Sequence, residues 1–210
     1  MAAPSQETPS IESGRNPSVF IFDLLTTLAD TSEVFRLSTA SGKQSDGKAW
    51  QDRIVHETSQ AGAYVPYETL IKRTAASIGI ATSGPLPFDG GWTGVQEVPG
   101  ARKLLQRLND GRGEHRLGAF SNSSSRVGDG VAAKVAPGML DAVITAEGCG
   151  FYEPRAEAYQ ACLKAMKVDA TAAVFVVSNA EDFMSAKNSG MAAILYRDLE
   201  EQFVSVMARL

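Results

Sequence analysis

Three acidic residues stand where they could exchange protons with a small molecule. Asp23 ends the apolar run Val19-Phe20-Ile21-Phe22, Asp182 follows Val177-Ser178-Asn179-Ala180-Glu181, and Glu153 lies in Gly150-Phe151-Tyr152-Glu153-Pro154. Ser121-Asn122 closes another apolar stretch, Leu117 to Phe120. An acid at one strand end, a hydroxyl at the next and an acid on a later loop supply the attacker, oxyanion binder and water-orienting group of nucleophilic carboxylate chemistry. Carboxyls that share a site raise one another's pKa, so the same set also suits general acid and base work.

Strands and helices must bring these groups together. Val19-Phe20-Ile21-Phe22 reads as a strand buried on both faces of a parallel sheet. From about residue 100 the pattern alternates. Helices are expected over Ala101 to Leu108, Pro154 to Met166 and Glu181 to Asn188. Strands are expected over Leu117 to Phe120, Ala142 to Thr145, Val174 to Val177 and Ala192 to Tyr196, with a C-terminal helix after the last. That succession predicts an α/β fold, a doubly wound Rossmann-like parallel sheet whose strand C-termini hold the ligand. Helical periodicity over Ala49 to Ser59 and Tyr67 to Ile78, then a Gly/Pro-rich return through Gly84-Pro85-Leu86-Pro87 and Gly90-Gly91, predicts an inserted α-helical cap. Gly42 to Gly47 reads as a mobile loop inside it. The expected division is a disordered tail over 1–17, a core over 18–29 and 99–210, and the cap over 30–98.

With 210 residues, 44% of them hydrophobic, the chain can bury a sizeable core. No stretch approaches the roughly 20 apolar residues of a membrane span, and Met1 to Ser10 lacks the basic and apolar regions of a signal peptide. A cytoplasmic protein without membrane partners is the expectation. A net charge of −4 without a basic run argues against nucleic acid and leaves a small molecule as the expected partner. Cys149, Cys162, His56 and His115 match neither a disulfide framework nor a zinc spacing, so no metal ligands are expected from them.

Together with Trp50, Tyr64 and Tyr67 in the insertion, and Val98-Pro99-Gly100 before Leu104-Leu105, the order of these pieces resembles the haloacid dehalogenase superfamily. The closest branch is that of 2-haloacid dehalogenases with a helical cap, over about residues 18 to 205. The resemblance implies that Asp23 is a nucleophile and that Thr27 and Ser121 with Asn122 hold an oxyanion or carboxylate. It also implies that Asn179 and Asp182 position water. Capped members are often dimers, so a homodimer is open alongside a monomer.

Four positions depart from the pattern. Leu25 stands where dehalogenases have a tyrosine and phosphatases an acid. Gln51 replaces the arginine after the cap tryptophan, Val177 replaces a serine near the attacking water, and Glu153 replaces the lysine that steadies the nucleophile. Exchanging that cation for an anion reverses the field at Asp23 and Asp182 and repels an incoming carboxylate or phosphate. Each lost contact to a charged group is worth about 2 kcal/mol.

Three readings follow. In the first, Asp23 and Glu153 act as acid and base on a small, largely apolar metabolite, in a cyclisation, isomerisation, dehydration or bond cleavage, with no cofactor. Leu25, Phe151, Tyr152 and Val177 would line the pocket. In the second, hydrolysis through Asp23 persists, with Lys48, Arg53 or Arg155 supplying charge, or Mg²⁺ held by Asp23 and Asp182 in a phosphatase. In the third, the protein binds without catalysing. Blander roles stand beside these: Ser121 and Asn122 as helix caps, Asp182 as a first-turn acid, and Glu153 pointing to solvent. Likewise His56 would be a surface residue, Trp50, Tyr64 and Tyr67 cap core, and Cys149 a buried filler.

Overall fold

The structure is a computed structural model and describes residues 17–110 and 115–196. The expected tail, apart from its last residue, and the expected C-terminal helix lie outside the described residues. Strand β1, Val19–Asp23, is buried along its whole length, as its unbroken apolar run requires. A single wide turn, Leu24–Leu28, carries the chain from β1 into the short strand β2, Ala29–Asp30.

Helices α1 (Ser32–Leu37), α2 (Gln44–Ala61) and α3 (Tyr67–Ser77) follow and form the insertion. In α2, Gly47, Trp50, Ile54 and Thr58 recur at helical spacing and are buried against α1 and α3. Trp50 donates its indole N–H to Ile71 O at 3.2 Å and Thr74 Oγ1 at 3.1 Å, and Phe35 packs edge-on against it at 5.5 Å. The loop expected through Gly47 is corrected here. Residues 44–47 belong to α2, because a β-carbon at Gly47 would stand 2.6 Å from Arg36 N and only glycine lets the two helices close. The chain leaves the insertion through β3, Gln96–Glu97, which pairs antiparallel with β2 and so ties its entry to its exit.

The remaining elements alternate. They are α4 (Ala101–Asp110), β4 (Arg116–Ser121), α5 (Ser125–Val135), β5 (Ala142–Thr145) and the short α6 (Ala146–Cys149). Then come α7 (Ala156–Met166), β6 (Ala173–Val177), α8 (Ala180–Asn188) and β7 (Ala192–Leu195). The sheet runs β5-β4-β1-β6-β7 with all neighbours parallel, Phe20 sitting between Leu117 and Val174. This is the doubly wound sheet that the sequence predicts. β1 is central, and the strand order reverses beside it, which opens a crevice at the C-terminal ends of β1, β4 and β6. Among the described residues no helix is long and apolar enough to cross a membrane.

Candidate active site

Asp23 closes β1 and caps the turn that follows. Its Oδ2 accepts from Thr26 N at 3.2 Å, from Thr27 Oγ1 at 3.2 Å and from Thr26 Oγ1. Thr26 Oγ1 also lies 2.8 Å from Ser178 Oγ, joining the ends of β1 and β6. Burial raises the Asp23 carboxyl above the ordinary aspartate value, and the hydrogen bonds from Thr26 and Thr27 partly offset this.

Glu153 is 1% exposed and does not point to solvent. Its backbone is held by Asn122, whose Oδ1 accepts from Glu153 N at 2.8 Å and whose Nδ2 donates to Glu153 O at 3.4 Å. The side chain is less well satisfied, since Oε1 is buried without a hydrogen-bond partner. Burial first, then the negative charges of Asp182 and Asp23, push its pKa well above the ordinary glutamate value. Both effects favour the protonated form of the carboxyl.

Asp182 begins α8. Asn179 caps that helix through Oδ1, which accepts from Asp182 N at 2.9 Å, while Asn179 Nδ2 donates to Asp182 Oδ2. Burial and then the charge of Asp23 raise Asp182 from 3.8 to about 6. The Tyr159 hydroxyl is near enough to pull both Glu153 and Asp182 downward, yet it has no partner at hydrogen-bonding geometry and is itself pushed up by burial.

Above these groups lies a cavity of about 650 Å³, between the strand ends and the insertion. Glu153 and Asp182 line it, together with four of the expected contact residues, Leu25, Gln51, Asn122 and Asn179. All three of these amides already have protein partners: Gln51 donates to Thr31 Oγ1 at 3.0 Å, Asn122 is engaged with the Glu153 backbone and Asn179 with Asp182.

Five expected site residues do not line the cavity. Asp23 is not among the lining groups, although its neighbours Leu25 and Thr26 are, and it is 5% exposed. Thr27 also falls outside the lining, because its hydroxyl is turned onto Asp23. Ser121 is fully buried with its hydroxyl 2.7 Å from that of Ser123, so it serves the strand end and not a ligand. Tyr152 is buried and donates to Val65 O at 2.6 Å, while Val177 is an interior strand residue; neither lines the cavity.

Of the three basic side chains expected to supply charge, only Lys48 reaches the lining, where it is bonded to Asp52. Arg53 pairs with Glu57 and Arg155 with Glu157. His56 is exposed, Trp50 and Tyr67 are buried in the insertion, and Tyr64 packs against Tyr152 at 5.4 Å. Cys149 is half-buried with its thiol directed to Phe151 O at 3.2 Å. Tyr159 and Ser178 are site residues that sequence reasoning missed. Tyr159 falls in the apolar set Ala158, Tyr159, Cys162 and Met166 of α7, which gives no sign of where its hydroxyl goes.

A family model described as haloacid dehalogenase-like hydrolase matches residues 17–190. The chain belongs to the haloacid dehalogenase-like hydrolases. A glyceraldehyde 3-phosphate phosphatase of Pyrococcus abyssi is 24% identical over 204 residues, 85% of this chain and 81% of that protein. The L-2-haloacid dehalogenase of Xanthobacter autotrophicus superposes with a TM-score of 0.73 at 18% identity, covering 90% of this chain and 81% of the other. A HAD-like family hydrolase from Porphyromonas gingivalis gives a TM-score of 0.61 at 17% identity, over 93% and 98% of the two chains. At such identities these structures share the fold.

A magnesium ion, which a phosphatase of this family would employ, needs several oxygens converging on one point. Among the described residues no group of three or more His, Cys, Asp or Glu is arranged to hold a metal ion. Oδ2 of Asp23 is already taken by three donors. Mg²⁺ is commonly held by one or two carboxylates with waters and a substrate phosphate, so Asp23 and Asp182 would be the residues to hold it in a phosphatase.

Proposed function

We propose that this member of the haloacid dehalogenase-like hydrolases has a repurposed site, working by proton transfer on a small, largely apolar organic metabolite that carries no anionic group. The observation that carries the reading is Glu153: buried, with Oε1 unpartnered, facing the cavity and pressed by two further carboxylates. In this position Glu153 is the general acid. Asp182, raised to about 6 and lining the same cavity, is the general base, oriented by Asn179. The acid-base pair expected from the sequence, Asp23 with Glu153, thus becomes Glu153 with Asp182, and Asp23 adds to the burial and the Asp182 charge that favour the proton on Glu153. Acid and base on one cavity suit a cyclisation, isomerisation, dehydration or bond cleavage. No cofactor is required for that chemistry.

A second reading keeps hydrolysis through Asp23, in a dehalogenase or phosphatase. Its support is Lys48, a cation on the cavity wall, together with the phosphatase relative.

The test compares wild type, Asp23→Asn and Glu153→Lys on a panel of 2-haloacids and phosphate esters, with and without Mg²⁺. Inactive wild type with Asp23-dependent hydrolysis gained in Glu153→Lys supports a repurposed site. Turnover of any panel member by wild type, abolished in Asp23→Asn, overturns it in favour of the second reading.

A further inference from the structure

The charges around the cavity point to the kind of molecule it admits. Five lining side chains bear carboxyls, Asp30, Asp52, Glu153, Glu181 and Asp182, against one ammonium, Lys48. Among the described residues only Asp52 of these five is in an ion pair, and its partner is that same Lys48. The cavity's lysine is thus already paired, and four of its five carboxyls have no ion-pair partner among the described residues. Low-dielectric walls focus such a field on whatever enters.

Two further features narrow the ligand. Glu153 adds a buried, unpartnered oxygen on the same wall, an acceptor or donor that no protein group satisfies. Between the acids lie Leu25, Ala29, Val55 and Val98, a surface for a hydrocarbon body.

We propose that the cavity takes an organic monocation, an apolar body bearing a protonated amine, with the ammonium held among Asp182, Glu181 and Asp30 beside Glu153. This names the substrate class for the site proposed above and rests on that reading of it. Asp30 ends β2 and Glu181 starts α8, so the acids come from both the insertion's base and the core.

The test is binding without turnover, by ligand-observed NMR or calorimetry, with phenethylamine, phenethyl alcohol and phenylacetate as probes of like size and different charge. The amine binds at least about tenfold tighter than the alcohol, its affinity falls with added salt, and phenylacetate does not bind. Asp30→Asn and Glu181→Gln, both exposed positions that fold without difficulty, each weaken the amine several-fold and leave the alcohol unchanged. Lys48→Met strengthens it. Equal or tighter binding of the alcohol or carboxylate, no amine binding at millimolar concentration, or acid-to-amide variants without effect overturns the proposal. Because no turnover is scored, this result is independent of the hydrolysis panel: an amine-selective cavity with hydrolytic activity would refute only the acid-base reading.

Discussion

Replacing Asp182 by asparagine should leave the protein about as stable in acid and make it more stable at neutral pH. In the folded chain its carboxyl is raised from 3.8 to about 6, first by burial and then by Asp23. One pKa unit corresponds to about 1.4 kcal/mol, so roughly two units amount to about 3 kcal/mol. The sign follows from proton linkage. A raised acid contributes stability that is fully present below the unfolded-state value, near pH 4, and is lost as pH rises through the folded-state value, near 6. Asp182→Asn removes that loss. The hydrogen bond from Asn179 already contributes to the value of about 6 and is a neutral one near pH 4, where the carboxyl is protonated. The variant should thus be about as stable as wild type near pH 4 and about 3 kcal/mol more stable near pH 7.5. Urea denaturation across that range reads the difference directly, with midpoint shifts at constant slope. A variant whose stability difference does not change with pH, or which is less stable at pH 7.5, would show that Asp182 titrates as an ordinary surface acid and that the three carboxyls do not share a dry site.

Asn122→Ala removes both hydrogen bonds that hold the Glu153 backbone, at about 2 kcal/mol of stability, and the Glu153 amide should lose hydrogen-exchange protection before its neighbours do. Gly130→Ala would place a β-carbon 1.8 Å from Trp92 Cζ2, so α5 or the Trp92 ring must shift; a loss of about 1–3 kcal/mol is expected by denaturation, and an unchanged midpoint would contradict the packing. Trp50→Phe keeps a ring in the insertion but removes the indole N–H donated to Ile71 O and Thr74 Oγ1, which keep their bond to each other, lowering stability by about 1 kcal/mol. Circular dichroism melts check that last value.

The sheet was legible because Val19-Phe20-Ile21-Phe22 and the later apolar runs have no helical period and end in polar residues, a pattern that only buried parallel strands satisfy. The positions of Asp23, Glu153 and Asp182 at one end of it followed from that topology. A helix after Ser121-Asn122 was expected from its caps, but the extent of α5 was not legible. Ser125-Arg126-Val127-Gly128-Asp129-Gly130 reads as a loop on propensity, yet Gly128 and Gly130 are there because Thr145 and Trp92 press onto the helix. The same cause hid the start of α2 at Gly47. Within the site, residue types were readable and side-chain directions were not. Thr27 and Ser121 have the chemistry of ligand binders, but the turn after Asp23 aims the first at Asp23, and the neighbour Ser123 takes the second. Nor does anything in Gly150-Phe151-Tyr152-Glu153-Pro154 reveal that Asn122, about thirty residues earlier, clamps the backbone and leaves the Glu153 side chain facing the cavity.

The central claim is that Glu153 holds a proton at neutral pH, and its carbonyl stretch reports this most directly. A difference infrared spectrum of wild type minus Glu153→Gln, with glutamate ¹³C-labelled, should show at pH 7 the band of a protonated carboxylic acid that the variant lacks. Loss of carboxylate bands instead would mean that Glu153 is ionised in place, and the general acid assigned to this site would not exist.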